Sequence, residues 1–147
     1  MTLEKYWRKR KFEKTPEPKG KILKTKESRF VVQEHWATHH HFDFRLEMGG
    51  VLKSWAVPKG VSEKAGVKRL AIAVEDHPID YIDFEGKIPE GLYGAGTVKI
   101  FDKGKYELIE KTDSRILFIL KGKKLKGNYN LIKFKKPNQW LLFKIKL

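Results

Sequence analysis

The stretch His41-Phe42-Asp43-Phe44-Arg45-Leu46-Glu47-Met48-Gly49-Gly50-Val51-Leu52-Lys53-Ser54-Trp55-Ala56-Val57 decides the fold class. From His41 to Glu47 polar and apolar residues alternate with a period of two, which marks a strand with one buried face. Gly49-Gly50 suits a two-residue hairpin turn, so a strand over 40–48 leads into a second over 51–57. The phase also sorts the side chains. His41, Asp43 and Arg45 share one face, and Phe42 and Phe44 pack behind it. Imidazole and carboxylate make a common ligand set for a divalent transition metal. A neighbouring guanidinium suits a phosphate or carboxylate. The segment therefore points to metal-assisted chemistry on an anionic substrate.

Working outward, further strand-like runs fall at 29–33, 70–75, 97–102, 106–109, 115–120, 128–134 and 140–145, separated by Gly, Pro, Asn and Asp turns. Nine short strands predict an all-β fold, a closed or nearly closed β-barrel of about eight or nine strands, with a sandwich as the other arrangement. The polar face of the His41 strand needs a sheltered, hydrated concavity, which a closed barrel can supply. Residues 3–12 predict a short N-terminal helix that ends at Thr15-Pro16-Glu17-Pro18-Lys19-Gly20. The expected organisation is a single domain over 1–147, with a helix and arm over 1–28 and the barrel over 29–147. Residues 85–96 read as loop, and the Lys-rich 121–126 as a solvated hairpin.

The 147 residues carry 32 Lys and Arg against 18 Asp and Glu, a formal net charge of +14. Such a surplus favours a polyanion, because neutralised phosphates release counterions. No long apolar run or basic amphipathic helix supports a membrane partner. There is no cysteine, so disulfides, thiolate zinc sites and a cysteine nucleophile are excluded. The first ten residues lack an apolar signal core, so a cytoplasmic location is expected.

The candidate metal set is His35, His41 and Asp43, with His35 placed at the end of the preceding strand so that it can turn back toward the same site. His39 and His40 read as exposed turn residues. Two histidines and a carboxylate leave coordination positions open and suit Mn²⁺, Fe²⁺ or Zn²⁺. Basic groups recur at strand ends as Lys59 and Arg69, which composition alone would leave as surface charge. His77 reads as a third ligand, a phosphate ligand or a general acid. Glu75 and Tyr81 read as groups that orient the histidines, with a core role open for Tyr81. Gly91-Leu92-Tyr93-Gly94-Ala95-Gly96 lacks the following helix that a dinucleotide loop requires, and reads as a tight turn. Neither a P-loop nor the Lys-x-Asp-Gly of nucleotidyl transfer occurs.

The ordered set Phe30-Val31-Val32-Gln33-Glu34-His35, His41-Phe42-Asp43-Phe44-Arg45-Leu46-Glu47, Leu52 to Gly60, Val74-Glu75-Asp76-His77-Pro78, Asp80-Tyr81, Phe84-Glu85-Gly86 and Ile88 to Val98 resembles the 3′-phosphoesterase domain of bacterial and archaeal DNA ligase D. The resemblance spans about residues 6 to 145. It implies a β-barrel with the active site on one side. It also implies a manganese enzyme of DNA end repair, with Zn²⁺ or Co²⁺ as other metals. That enzyme removes a 3′-terminal ribonucleotide and then the 3′-phosphate to leave a 3′-OH. Carried over by motif, His35, His41 and Asp43 hold the metal. Arg45 and His77 meet the scissile phosphate, with donation of the leaving-group proton as a further task for His77. Lys59, Arg69 and Tyr81 match further active-site positions. Arg10 matches a phosphate-binding one, and Glu17, Gln33 and Glu75 supporting ones. The family often has Asp where this chain has Lys11, and usually lacks histidines at positions 39 and 40.

The implied partners are DNA or RNA-terminated DNA 3′ ends on a primer-template duplex, with the protein a stand-alone monomer and ligase and polymerase acting in trans. Three other readings stay open. One is a 3′-phosphatase that leaves ribonucleotides in place. Another is an iron oxygenase whose facial triad is His41, Asp43 and His77. The last is a non-catalytic nucleic-acid-binding barrel.

Overall fold

The structure, a computed structural model, describes residues 3–20 and 28–146. Parts of the expected N-terminal arm, residues 1–2 and 21–27, lie outside the described residues, as does residue 147. One short helix, α1 (Glu4–Arg8), precedes nine strands: β1 (Arg29–Trp36), β2 (His41–Met48), β3 (Val51–Val57), β4 (Arg69–His77), β5 (Gly86–Ile88), β6 (Gly96–Lys111), β7 (Arg115–Lys121), β8 (Lys126–Phe134) and β9 (Lys136–Lys144). A 3₁₀ turn (Ile79–Asp83) links β4 to β5. Neighbouring strands run β1-β2-β3-β4-β9-β8-β7-β6-β5, all antiparallel, and β1 also pairs with β6. That last pairing closes an eight-stranded barrel and leaves β5 as an appended edge. The all-β barrel expected from the alternation is the fold.

The count of nine arises differently from the expectation. The runs at 97–102 and 106–109 are one 16-residue strand, β6, which pairs with β1 along its first part and with β7 along its second. The residues between the runs, Lys103 to Lys105, stay in the ladder with β1, and Lys105 also opens the ladder with β7, a demand that propensity does not register. The ninth strand is β5, inside the stretch read as loop. Three residues of Gly86–Ile88 are too few to show alternation. The helix is also shorter than its periodicity implied, ending at Arg8. Residues beyond it turn so that Arg10 reaches buried carboxylates on Glu17 and Glu75.

Gly49 and Gly50 have φ of 64° and 83°, and Met48 pairs with Val51, which is the two-residue turn with both central residues left-handed. Gly96 is required for a different reason. A Cβ there would lie 2.0 Å from the carbonyl oxygen of Trp36, so a side chain would separate β6 from β1.

Two apolar clusters share the work. The larger one takes residues from all eight barrel strands, among them Val32, Phe44, Trp55, Ala71, Tyr106, Phe118, Leu131 and Leu142. It fills the barrel interior, as side chains do in a barrel of this size. The smaller cluster, with Tyr6, Val31, Leu52, Tyr81, Ile82, Phe84, Ile88 and Val98, lies between the outer wall and the segments crossing it. Those segments are the N-terminal arm, the 3₁₀ turn and β5. This corrects the expected location of the polar face of β2. The lumen is packed with Phe42, Phe44 and Leu46, so His41, Asp43 and Arg45 point outward and are sheltered by the arm. Alternation establishes that two faces differ, but it carries no information on which one is concave.

Candidate active site

The β1–β2 register explains how His35 joins the set. His35 pairs with His41, and Gln33 with Asp43, so four outward side chains form a block two residues deep on two strands. His35 donates its Nε2 hydrogen to the Gly94 carbonyl at 2.7 Å, and His41 its Nδ1 hydrogen to the His39 carbonyl at 2.8 Å. A carbonyl only accepts, so these contacts fix which nitrogen of each ring remains. The remaining atoms converge: His35 Nδ1 lies 3.6 Å and His41 Nε2 3.3 Å from Asp43 Oδ2. Ligand atoms of the three residues all lie within 4.8 Å of one another.

Three electron-pair donors at that spacing need a positive charge among them. Without a cation, the hydrogen bond to Asp43 favours the protonated ring and raises the His41 pKa. Burial by itself would raise the Asp43 carboxyl, but the Arg45 charge and the two imidazoles hold it well below the usual carboxylate range. A divalent cation supplies the same charge more strongly, and backbone-anchored imidazoles are the usual support of such a site. The residues fit a metal. Among the described residues this is the His/Asp/Glu set that meets at ligand distance.

Beside the cluster, Arg45 is buried and clamped. Its Nε donates to Gln33 Oε1 at 2.7 Å, and Nη2 lies 3.6 Å from Asp43 Oδ2. Gln33 in turn donates to the carbonyls of Tyr81 (2.8 Å) and Phe84 (3.1 Å), tying the guanidinium to the 3₁₀ turn. The Tyr81 ring lies 4.8 Å from the guanidinium carbon. Arg45 Nη1 has no protein partner, which leaves one donor for an anion.

The arm closes the other side. Arg10 donates to Glu17 Oε2 (3.3 Å) and Glu75 Oε2 (3.0 Å), and its Nη2 lies 3.4 Å from His77 Nε2. Tyr81 Oη donates to Glu17 Oε2 at 2.6 Å. Lys9 Nζ donates to Glu75 Oε1 at 3.1 Å. Burial would raise the Glu75 carboxyl, and its bonds to Arg10 and Lys9 more than offset that. His77 donates from Nδ1 to the Glu75 carbonyl at 3.0 Å and presents its Nε2 lone pair to Arg10. Burial pushes its pKa well down, and the Arg45 and Arg10 charges add to the shift. The imidazole is neutral and in an accepting tautomer. Among the described residues, His35 rather than His77 meets His41 and Asp43 at ligand distance.

These groups surround a cavity of about 310 Å³ lined by Arg10, Glu17, His35, His41, Asp43, Arg45, Glu75, His77 and Tyr81, with Gln33 behind it. Lys59 and Arg69 do not line it. Lys59 is exposed, and Arg69 Nη1 donates to the Lys59 carbonyl at the end of the barrel. Lys11 is exposed. His39 and His40 are exposed turn residues as expected, although the His39 carbonyl orients His41. Tyr93 and the Gly94 carbonyl were not foreseen. A backbone acceptor leaves no trace in side-chain chemistry; the only signal was the glycine-rich turn itself.

The sequence profile of the DNA ligase D 3′-phosphoesterase domain matches residues 33–133. The chain belongs to that family. Three relatives illustrate the likeness of this phosphoesterase-domain chain. It is 48% identical to the multifunctional non-homologous end joining protein LigD of Pseudomonas aeruginosa over 98% of its own length. It is 43% identical to the multifunctional non-homologous end joining DNA repair protein LigD of Mycobacterium tuberculosis, again over 98%. With the LigD of Mycolicibacterium smegmatis the identity is 46% over 90%. The chain spans only about a fifth of the length of these relatives. The two matches over 98% of the chain, unlike the profile match, take in the arm that carries Arg10 and Glu17.

Proposed function

We propose that this chain is a metal-dependent phosphoesterase that heals 3′ ends in DNA repair. It removes a 3′-terminal ribonucleotide, then the 3′-phosphate, and leaves a 3′-OH. The observation that carries this reading is the convergence of His35, His41 and Asp43 beside the unpartnered Nη1 of Arg45. The family membership supplies the phosphoester. Bound by the two imidazoles and the carboxylate, Mn²⁺ would supply charge neutralisation for phosphate oxygens.

The chain's own residues do the rest. Arg45, held rigid by Gln33, offers Nη1 to a phosphate oxygen as negative charge develops. Arg10 spans the cavity from the arm and would offer a second guanidinium. His77, neutral and accepting, orients Arg10. Tyr81 stays protonated, its pKa raised mainly by burial, and is aimed by Glu17. Lys59 and Arg69, outside the cavity, would meet more distant phosphates of the nucleic acid. The substrate is a primer-template 3′ end, with ligase and polymerase activities completing the repair.

Incubation of a primer-template ending in a ribonucleotide or a 3′-phosphate with Mn²⁺ tests the reading. Conversion of both to a 3′-OH is expected, and His41→Ala should abolish both steps. Folded, metal-binding protein that changes neither end would refute the proposal. Conversion of the 3′-phosphate alone would restrict it to phosphatase action.

A further inference from the structure

The two metal-ligating histidines are joined to a feature that the cavity does not use. Trp36 follows His35 at the end of β1, and 43% of it is exposed. Its ring stacks on His40, with centroids 5.5 Å apart and planes 19° from parallel. The pair is held in place: His40 Nε2 lies 2.7 Å from Glu34 Oε2. His40 contacts Phe42 at 5.5 Å, and Phe42 meets Phe101 edge-on at 5.5 Å. Lys124 Nζ lies 4.2 Å above the Phe101 ring. Its turn is fixed by Asp102, which accepts backbone N–H groups of Lys123, Lys124 and Leu125 at 3.0, 3.1 and 2.8 Å. On the other flank Gly60, in the Lys59 turn, packs so closely on Phe42 that a Cβ there would come within 3.0 Å of its ring.

An aromatic ridge, Trp36-His40-Phe42-Phe101, therefore crosses one end of the barrel between two cations, Lys59 and Lys124. It begins one residue from the metal set. We propose that the Trp36–His40 stack is a nucleobase platform. It would take a base flanking the 3′ end that enters the cavity, while Lys59 and Lys124 meet the adjoining phosphates. The inference rests on the phosphoesterase reading for the identity of the strand. Three observations select this occupant over an apolar peptide. The outer face of Trp36 is a flat π surface already backed by a second ring, the arrangement that binds bases without regard to sequence. The ridge ends in cations, with Lys124 over Phe101 and exposed Lys59 beside the Gly60–Phe42 contact. And the +14 net charge favours a polyanion over the whole molecule. Because the stack is preorganised, little side-chain freedom is lost on binding.

Fluorescence anisotropy tests this on the full chain with a labelled primer-template ending in a 3′-phosphate, in the presence of a chelator so that no turnover occurs. A second duplex carries abasic residues at the positions flanking the 3′ end. Trp36→Ala should bind the intact duplex about tenfold more weakly, the size expected for one lost base stack. It should bind the abasic duplex as the unaltered protein does, and Trp36→Phe should restore most of the affinity. Matched thermal unfolding confirms that the variants are folded. Equal binding of the intact duplex by Trp36→Ala and the unaltered protein would overturn the platform, and so would an equal loss on both duplexes. A chain that binds in this base-dependent way but never converts an end would refute the phosphoesterase reading and leave the platform standing.

Discussion

The two faces of β2 obey different physics. On the inner face Phe42, Phe44 and Leu46 join a lumen filled by all eight barrel strands, and for these hydrocarbon side chains burial and close packing are the only demands. On the outer face His41, Asp43 and Arg45 are buried almost as deeply, yet every one of them is a charged or coordinating group. The inner face is stable because nothing in it needs a partner. The outer face is tolerable only because each group has one: Arg45 has Gln33, Asp43 has Arg45 and two imidazoles, Arg10 has Glu17 and Glu75. Its unmatched remainder, three convergent electron-pair donors and the Nη1 of Arg45, has the chemistry to take a cation and an anion. A strand thus separates stability from chemistry by a rotation of half a turn per residue.

Substitutions can break that division or sharpen it. Phe44→Ala strikes the inner face and should cost roughly 3–5 kcal/mol in urea unfolding. The Mn²⁺ affinity of the folded protein should stay as it was; a large loss of affinity would show that the two faces are not separable. Arg10→Ala strikes the outer network. It leaves Glu17 and Glu75, both nearly inaccessible, without their shared guanidinium. Glu75 keeps Lys9 and Glu17 keeps Tyr81, but losing the buried guanidinium between them should still cost about 3 kcal/mol in the same experiment. No measurable change would mean that the arm does not clamp the site.

His77 gives the division a pH dependence. Its folded pKa lies well below 6.5, chiefly through burial, so below that pH the unfolded chain binds a proton that the folded one does not. Stability contributed by this group is complete above about pH 6.5 and is lost as the pH falls toward the folded value, with a slope of at most about 1.4 kcal/mol per pH unit. Urea midpoints of His77→Gln should show a shallower fall between pH 6.5 and pH 5 than those of the unaltered chain; parallel curves would contradict a buried neutral imidazole. Lys59→Ala lies outside both faces and should shift stability by less than about 0.5 kcal/mol. A larger shift would place that turn in the core of the fold.

Much of the site was legible because it lies on regular strands. The spacing of His41, Asp43 and Arg45 gave their shared face, and the short distance in sequence from His35 allowed it to return. Gln33 is opposite Asp43 only in the β1–β2 register, and strand phase alone had no reason to select it; family resemblance did. Arg10 and Glu17 act from an arm with no strand or helix period to read. Their roles depend on where the arm crosses the barrel. Lys59 and Arg69 went the other way, chosen by motif and placed by the fold outside the cavity. Tyr93 and the Gly94 carbonyl enter through a turn whose glycines were read only as backbone necessities.

The sequence by itself determined that this chain is a set of antiparallel strands and that β2 carries His41, Asp43 and Arg45 on one face, because strand phase and hairpin turns are local properties. Only the tertiary structure decided that the reactive face is the outside of the barrel. Closure puts the bulkier apolar set in the lumen, and the arm, the 3₁₀ turn and β5 then supply from other parts of the chain the shelter and the counter-charges that the outer face requires.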